Sequence, residues 1–228
     1  MQGTRPERIP CPECAAPVAF ACHESANADL DPGLRQAVLE GRFMRADCSA
    51  CGVDFVVESE LLYTELRRGW FIGVFPRTRR SEADALGALI EQAYVTAAGD
   101  GAPRPIRLLA QSVRRRVVFG YDELREKVLC GEHGLDDRAI EVTKLALLLR
   151  APGLAAHADQ VPTLVDVDPA AGTLLFRLAA HEHLPVPRAR YEAVASEQDR
   201  WQRDFAPLFD QLHVNITRCG PDLTRAQA

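Results

Sequence analysis

This chain of 228 residues has no Gly-x-Gly-x-x-Gly turn, no P-loop, no Gly-x-Ser-x-Gly elbow and no His-Glu-x-x-His helix. It therefore lacks the signatures of dinucleotide binding, phosphate cradling, serine hydrolysis and zinc proteolysis. It has no apolar run near the ~20 residues that a helix needs to cross a bilayer. The first fourteen residues lack the apolar segment of a secretory signal. Both absences point to a cytoplasmic protein with no membrane role. An excess of positive charge is missing too. Lys and Arg total 27 against 32 Asp and Glu, a net charge of -5, so there is no broad electrostatic footprint for nucleic acid or an anionic membrane. Internal repeats and low-complexity tracts are also absent. What remains is ordinary: 47% hydrophobic and 26% charged residues, enough apolar content for a sizeable core without disulfides.

Against that background the cysteines stand out. Four of the seven form two Cys-x-x-Cys pairs, Cys11/Cys14 and Cys48/Cys51, with Pro10 and Pro12 around the first cysteine and Gly52 after the last. In a reducing compartment, paired thiols at this spacing favour metal ligation over disulfides. Four thiolates in two short loops make the closed tetrahedral cage of a structural Zn²⁺. Iron in a rubredoxin-like site uses the same ligands. A closed cage leaves no position for a reacting water, so the motif names a metal and a fold nucleus but no reaction. Cys22 and His23 follow the first pair closely. With the cage already full, they read as a small apolar thiol beside a surface imidazole.

The order of elements follows from patterning. Residues 10–76 read as a zinc ribbon with an inserted helix. Asp31 is the predicted N-cap, Pro32 the first helical residue and Gly41 the stop. Strands are expected at residues 17–22, 43–46 and 53–57, and a hairpin at 61–75 around Arg67–Gly69. Ser81 and Asp84 suggest a capping box for a helix carrying Leu86, Leu89, Ile90, Ala93, Tyr94 and Ala97 on one face. The Gly- and Pro-containing stretch 99–105 is the expected linker, giving domains at 1–100 and 101–228. The second half reads as a strand at 114–119, helices at about 121–131 and 136–150, a hairpin at 161–178 and a long C-terminal helix carrying Tyr191, Val194, Gln198, Trp201 and Phe205. The expected fold class is α+β.

Two further groupings bear on function. Asp136, Asp137 and Glu141, with Glu126, Lys127 and Lys144 nearby, could hold Mg²⁺ and position a water in a metal-dependent hydrolase or nuclease. The competing reading is structural. Acids at 136–137 suit a helix N-terminus, and Glu141 with Lys144 is spaced for a helix-surface ion pair. His181 and His183 would share one side of an extended chain, but no third ligand lies near them in sequence.

The residues Cys11-Pro12-Glu13-Cys14 and Cys48-Ser49-Ala50-Cys51-Gly52 resemble the CpXC family of bacterial proteins. So do Leu124-Arg125-Glu126-Lys127-Val128, the run from Gly134 to Glu141, and Lys144. The second pair departs from the family pattern, with Ser49 where proline is usual. Proline contributes no ligand, so the metal set is unaffected. The resemblance implies zinc binding and supplies no substrate, because the family is named for its cysteines and has no established activity.

The sequence thus leads to a zinc-stabilised binding or adaptor protein that docks a protein partner, with homo-oligomerisation open. It leans away from an enzyme. The alternatives are the hydrolase at Asp136, Asp137 and Glu141, and a nucleic-acid-binding zinc ribbon. The latter needs Arg67, Arg68, Arg114, Arg115 and Arg116 to form one basic stripe, against the acidic total.

Overall fold

Two short hairpins carry the cysteine pairs at their turns. The structure, a computed structural model, describes residues 4–150, 161–179, 182–209 and 211–218. Strands β1 (Thr4–Pro10) and β2 (Pro17–His23) pair antiparallel, with Pro10 opposite Pro17 across the first cysteine turn. After β3 (Ser25–Asn27) comes helix α1 (Pro32–Leu39). The Asp31 side chain accepts from the Gly33 N–H at 3.0 Å, satisfying one of the first-turn donors. Gly41, at φ 69°, closes the helix in the left-handed conformation that glycine adopts without strain. Strands β4 (Arg45–Asp47) and β5 (Asp54–Val56) then form the second hairpin, with Asp47 opposite Asp54.

The centre of this unit is a mixed sheet of order β3-β6-β7-β8, built with β6 (Leu61–Glu65), β7 (Trp70–Phe75) and β8 (Arg114–Phe119). Strands β6 and β7 make the predicted hairpin, with Gly69 at φ 77° before β7. β7 reads Trp-Phe-Ile-Gly-Val-Phe and is buried along its whole length, the pattern of a strand covered on both faces. β8 runs parallel to β7, which requires a crossover. Helices α2 (Ala83–Ala98) and α3 (Arg104–Ala110) supply it. A Cβ at Gly73 would lie 2.3 Å from Ile90 Cδ1 and 2.5 Å from Ile90 Cγ1, so the missing side chain lets α2 approach the strand. Residues 99–105 hold the junction between α2 and α3. The expected capping box is not used. Residues Arg77–Glu82 form a 3₁₀ turn that runs directly into α2, whose cap position is Glu82, without a side-chain cap bond.

The chain divides into two compact units, residues 1–125 and 126–228. Helix α4 (Tyr121–Glu132) carries the chain from one to the next. The second unit contains α5 (Asp137–Arg150) and an antiparallel sheet of order β11-β10-β9. Its strands are β9 (Thr163–Asp168), β10 (Thr173–Ala179) and β11 (Glu182–Pro187). The hairpin of β9 and β10 is the predicted one; β11 has no counterpart in the sequence reading. Val142, Leu145, Leu148, Leu208 and Ile216 form a core cluster here, with Val194, Trp201 and Phe205 against it.

The expected long C-terminal helix is three short ones: α6 (Arg188–Ser196), α7 (Gln198–Asp204) and α8 (Ala206–Phe209). The breaks fall at Glu197 (φ -101°, ψ 29°) and Phe205 (φ -129°, ψ 43°). Ser196 contributes to the first break: its hydroxyl donates to the Ala193 carbonyl at 2.8 Å, a local bond that competes with helix continuation. Four small sheets, mostly of antiparallel pairs, with helices between and after them give the fold class α+β, as expected. No described helix is long and apolar enough to cross a membrane.

Candidate metal centre

The two cysteine turns are local copies of one another. In the first, Cys11 N–H donates to the Ala16 carbonyl and Ala15 N–H to the Cys11 carbonyl, both at 2.9 Å. In the second, Cys48 N–H donates to Val53 at 2.9 Å and Gly52 N–H to Cys48 at 2.7 Å. The residue after each second cysteine takes a left-handed conformation, Ala15 at φ 58° and Gly52 at φ 76°. Glycine does this without strain, whereas the Cβ of alanine crowds the following carbonyl oxygen.

These turns bring four sulfurs together. Cys11 Sγ lies 3.6 Å from Cys51 Sγ, and Cys14 Sγ 3.6 Å from Cys48 Sγ. All four ligand atoms lie within 4.8 Å of one another. A disulfide would need about 2 Å. A tetrahedron with metal–sulfur bonds of about 2.3 Å places its corners about 3.8 Å apart, and the observed pairs match that spacing. Cys11 and Cys48 are buried; Cys14 and Cys51 face outward. Backbone N–H groups of Cys51 and then Ala50 help draw the Cys48 thiol down to about 7. At Cys14 and Cys51 the backbone N–H groups that face them are outweighed by burial and the neighbouring sulfurs, and both thiols are pushed up instead. Val18, Ala46 and the partly buried Phe20 and Phe55 pack behind the sulfurs. The group can hold a metal ion, and among the described residues it is the one His/Cys/Asp/Glu grouping with that geometry. Cys22 is buried and outside the cage, as is Cys130.

The carboxylates at the start of α5 separate. The Asp136 side chain accepts from the backbone N–H of Arg138 at 2.8 Å and of Ala139 at 3.4 Å, capping the helix. Asp137 and Glu141 turn inward. There the surface reading of Glu141 and Lys144 fails: Glu126, Lys127, Asp137, Glu141 and Lys144 are each 2% exposed or less. Lys144 Nζ donates to Glu126 at 2.6 Å and to Glu141 at 2.9 Å. Lys127 Nζ lies 3.3 Å from both Asp137 and Glu141 and donates to the Val214 carbonyl at 2.9 Å. The second oxygens of the two glutamates accept backbone N–H bonds, Glu126 from Leu164 at 2.7 Å and Glu141 from Ile216 at 3.0 Å.

Burial pushes Glu126 up to about 7 against the pull of Lys144. At Glu141 burial acts the same way but is outweighed by Lys144 and Lys127, which hold it below the usual carboxylate range. The oxygens that a hydrated Mg²⁺ would need are already engaged by two ammonium groups and two amides. The sequence offered one overlooked signal. Asp137, Glu141, Lys144 and Leu148 fall on one helical stripe with Leu145, so the charges share the apolar face.

The arginine clusters are largely engaged. Arg68 meets Glu65 at 3.0 Å, Arg80 meets Glu123 at 2.7 Å, and Arg115 meets Glu91 at 2.9 Å. Arg79 pairs with Glu60 and Glu82. Arg114 lies 3.9 Å over the Trp70 ring, and Arg116 is buried. Of the aromatic residues in the β6–β7 hairpin, Trp70, Phe71 and Phe75 are all core. His183 is exposed on β11; His181 and Cys219 lie outside the described residues.

A family model described as CpXC protein matches residues 9–144, more than half of the chain. That span contains the four cysteines and all five members of the buried charge cluster. No curated protein and no solved structure matches the chain.

Proposed function

The chain belongs to the CpXC family, and from that premise we propose that it is a zinc-stabilised binding protein that docks a protein partner. Cys11, Cys14, Cys48 and Cys51 hold Zn²⁺ in a closed tetrahedral site. Such a site contributes directly to folding and offers no open coordination position for a reacting water. The buried carboxylates act in the same structural sense, since each is paired with a buried ammonium group.

The observation that carries docking is the outer face of α2. Ala85, Ala88, Leu89, Gln92, Val95 and Thr96 are all exposed and recur at helical spacing, with the exposed Asp84 at the N-terminal edge of this face. Six large apolar side chains are exposed among the described residues, and four of them, Leu89, Val95, Leu108 and Leu109, sit on α2 and α3. A solvated helix normally carries charge on that face, and an apolar one marks an interaction surface. The engagement of Arg68, Arg80, Arg114 and Arg115 within the fold weighs against a phosphate-binding stripe.

The test is a photo-crosslinking residue at Gln92, run in the native cell beside metal analysis of the purified protein. One zinc per chain and a protein adduct lost in Leu89→Glu are expected. Adducts with nucleic acid alone, or a protein adduct indifferent to Leu89→Glu, would reject the reading.

A further inference from the structure

Beside the exposed apolar residues of α2, between its C-terminal end and α3, lies an open groove of about 480 Å³. Its lining combines Tyr94, Ala98 and Leu108 with Arg104, Arg107 and Arg115. Asp100 is the one carboxylate in that lining. Such a balance is unusual in a chain of net charge -5. Arg115 is held by Glu91 at 2.9 Å and lies 4.9 Å over the Tyr94 ring. Arg104 and Arg107 are exposed, and no ion pair joins either to a carboxylate among the described residues. The Arg107 side chain donates to the Asp100 backbone carbonyl, at 3.5 Å.

The walls are fixed. Tyr94 donates its hydroxyl to the Ala110 carbonyl at 2.6 Å, tying α2 to α3, and packs edge-on against Phe71 of the buried strand at 5.3 Å. Val95 is 59% exposed, Leu108 56% and Leu109 41%. They set aliphatic surface beside the two guanidinium groups.

We infer that this groove and the α2 face take an acidic amphipathic helix of a protein partner, an inference that rests on the docking reading above. Such a helix places aliphatic anchors at i, i+3, i+4 and i+7 against Leu89, Val95 and Leu108. Its flanking carboxylates reach Arg104 and Arg107, where planar guanidinium forks suit bidentate pairing. A basic helix brings like charge to the same rim. A nucleic acid strand engages the arginines but leaves the leucines in water. A second copy of this chain, pairing face to face through α2, offers Asp84 as the exposed carboxylate of that helix, one acid against two arginines.

The experiment uses the full metal-loaded chain and fluorescent synthetic helices of about five turns. One carries leucines at the stated spacing with glutamates between them. A second has lysine for each glutamate, and a third has serine for each leucine. Inorganic pyrophosphate is the small-anion probe. Saturable binding of the first peptide alone is expected, weakened about tenfold or more by Arg104→Glu with Arg107→Glu, and separately by Leu108→Ser. Added salt should weaken it further. Equal binding of the serine peptide, or competition by pyrophosphate, would make the groove an anion site and overturn the proposal. Indifference to the double arginine variant, self-association through α2 in sedimentation, or no binding would overturn it as well. A Gln92 adduct sensitive to Leu89→Glu, with no peptide binding, would leave docking standing and remove only the acidic partner.

Discussion

Replacing Lys144 by methionine isolates the energetics of the buried cluster. The substitution conserves most of the side-chain volume and removes one charge. In the native unit three carboxylates, Glu126, Asp137 and Glu141, face two ammonium groups, Lys127 and Lys144, all 2% exposed or less. Lys144 is the closest cation to two of those carboxylates, at 2.6 and 2.9 Å. Without it, three buried carboxylates share one ammonium. Breaking a buried pair in this way costs about 3–5 kcal/mol, because the remaining charge is left uncompensated. That is a large part of a typical domain stability of about 5–15 kcal/mol.

The loss should depend on pH, and the sign can be derived. Glu126 sits at about 7 in the folded chain, above the ordinary 4.5, so the native state holds that proton more tightly than the unfolded one. The associated stability is fully present below 4.5 and is lost as pH rises through about 7, a swing of about 3 kcal/mol at about 1.4 kcal/mol per pH unit. Removing Lys144 takes away the strongest influence favouring the ionised form and moves this window upward. Near pH 6 the variant's Glu126 is protonated and the cluster sheds one negative charge; near pH 8 more of it must ionise. Glu141, whose folded value is lowered, has the opposite dependence, lost as pH falls through that lowered value, and so does not act between pH 6 and 8. Urea denaturation at both pH values, with amide exchange at Leu164 and Ile216 as the local readout, measures the effect. A loss below about 1 kcal/mol at pH 8, or a loss at pH 6 as large as at pH 8, would refute this account of the cluster.

The metal centre predicts one zinc per chain by elemental analysis, a lower melting temperature after chelation, and metal loss with destabilisation in Cys14→Ser; Cys130→Ser, outside the cage, should leave metal content unchanged. Ala15→Gly relieves a residue at φ 58° and should raise the urea midpoint by an amount worth up to about 1 kcal/mol, while Gly52→Ala, at φ 76°, should lower it by about 1–2 kcal/mol. Gly73→Ala puts a Cβ 2.3 Å from Ile90 Cδ1 and should cost about 1–3 kcal/mol by overpacking; the double change with Ile90→Val should recover part of the loss, and additivity of the two would refute the contact.

Legibility in the sequence followed the range of the forces involved. The cysteine turns are set by residues four or five apart, and Asp31, Pro32 and Gly41 mark α1 by backbone chemistry alone, so these were readable. So were β7 and β8, where bulky and β-branched residues run together. The elements that were missed lack a local signal. β1 is largely polar, and α3 sits beside the Gly- and Pro-containing stretch that reads as a linker. β11 contains Pro185 and Pro187, which argue against a strand until its edge position is known. The buried charge cluster was the hardest case. Glu141 and Lys144 at i and i+3 satisfy a surface ion pair and a core ion pair equally well. Only the arrival of Glu126, Lys127 and the amides of Leu164 and Ile216 decides between them, and those partners are distant in sequence.

The same ambiguity runs through α2, and there it bears on function. Its apolar residues read as a single buried stripe including Leu86, Leu89, Ile90 and Ala97. In the fold they divide: Leu86 and Ile90 are 3% and 5% exposed, whereas Leu89 is 53% exposed and Ala97 also faces out. Apolar residues on two sides of a helix are expected to be covered on both. One side of α2 is covered by the sheet, where Gly73 admits Ile90. The other side meets solvent, next to two arginines with no carboxylate partner among the described residues. The sequence pattern therefore carried the information that α2 has two faces to satisfy. The chain's own fold satisfies one, and the second is the physical reason for proposing a partner.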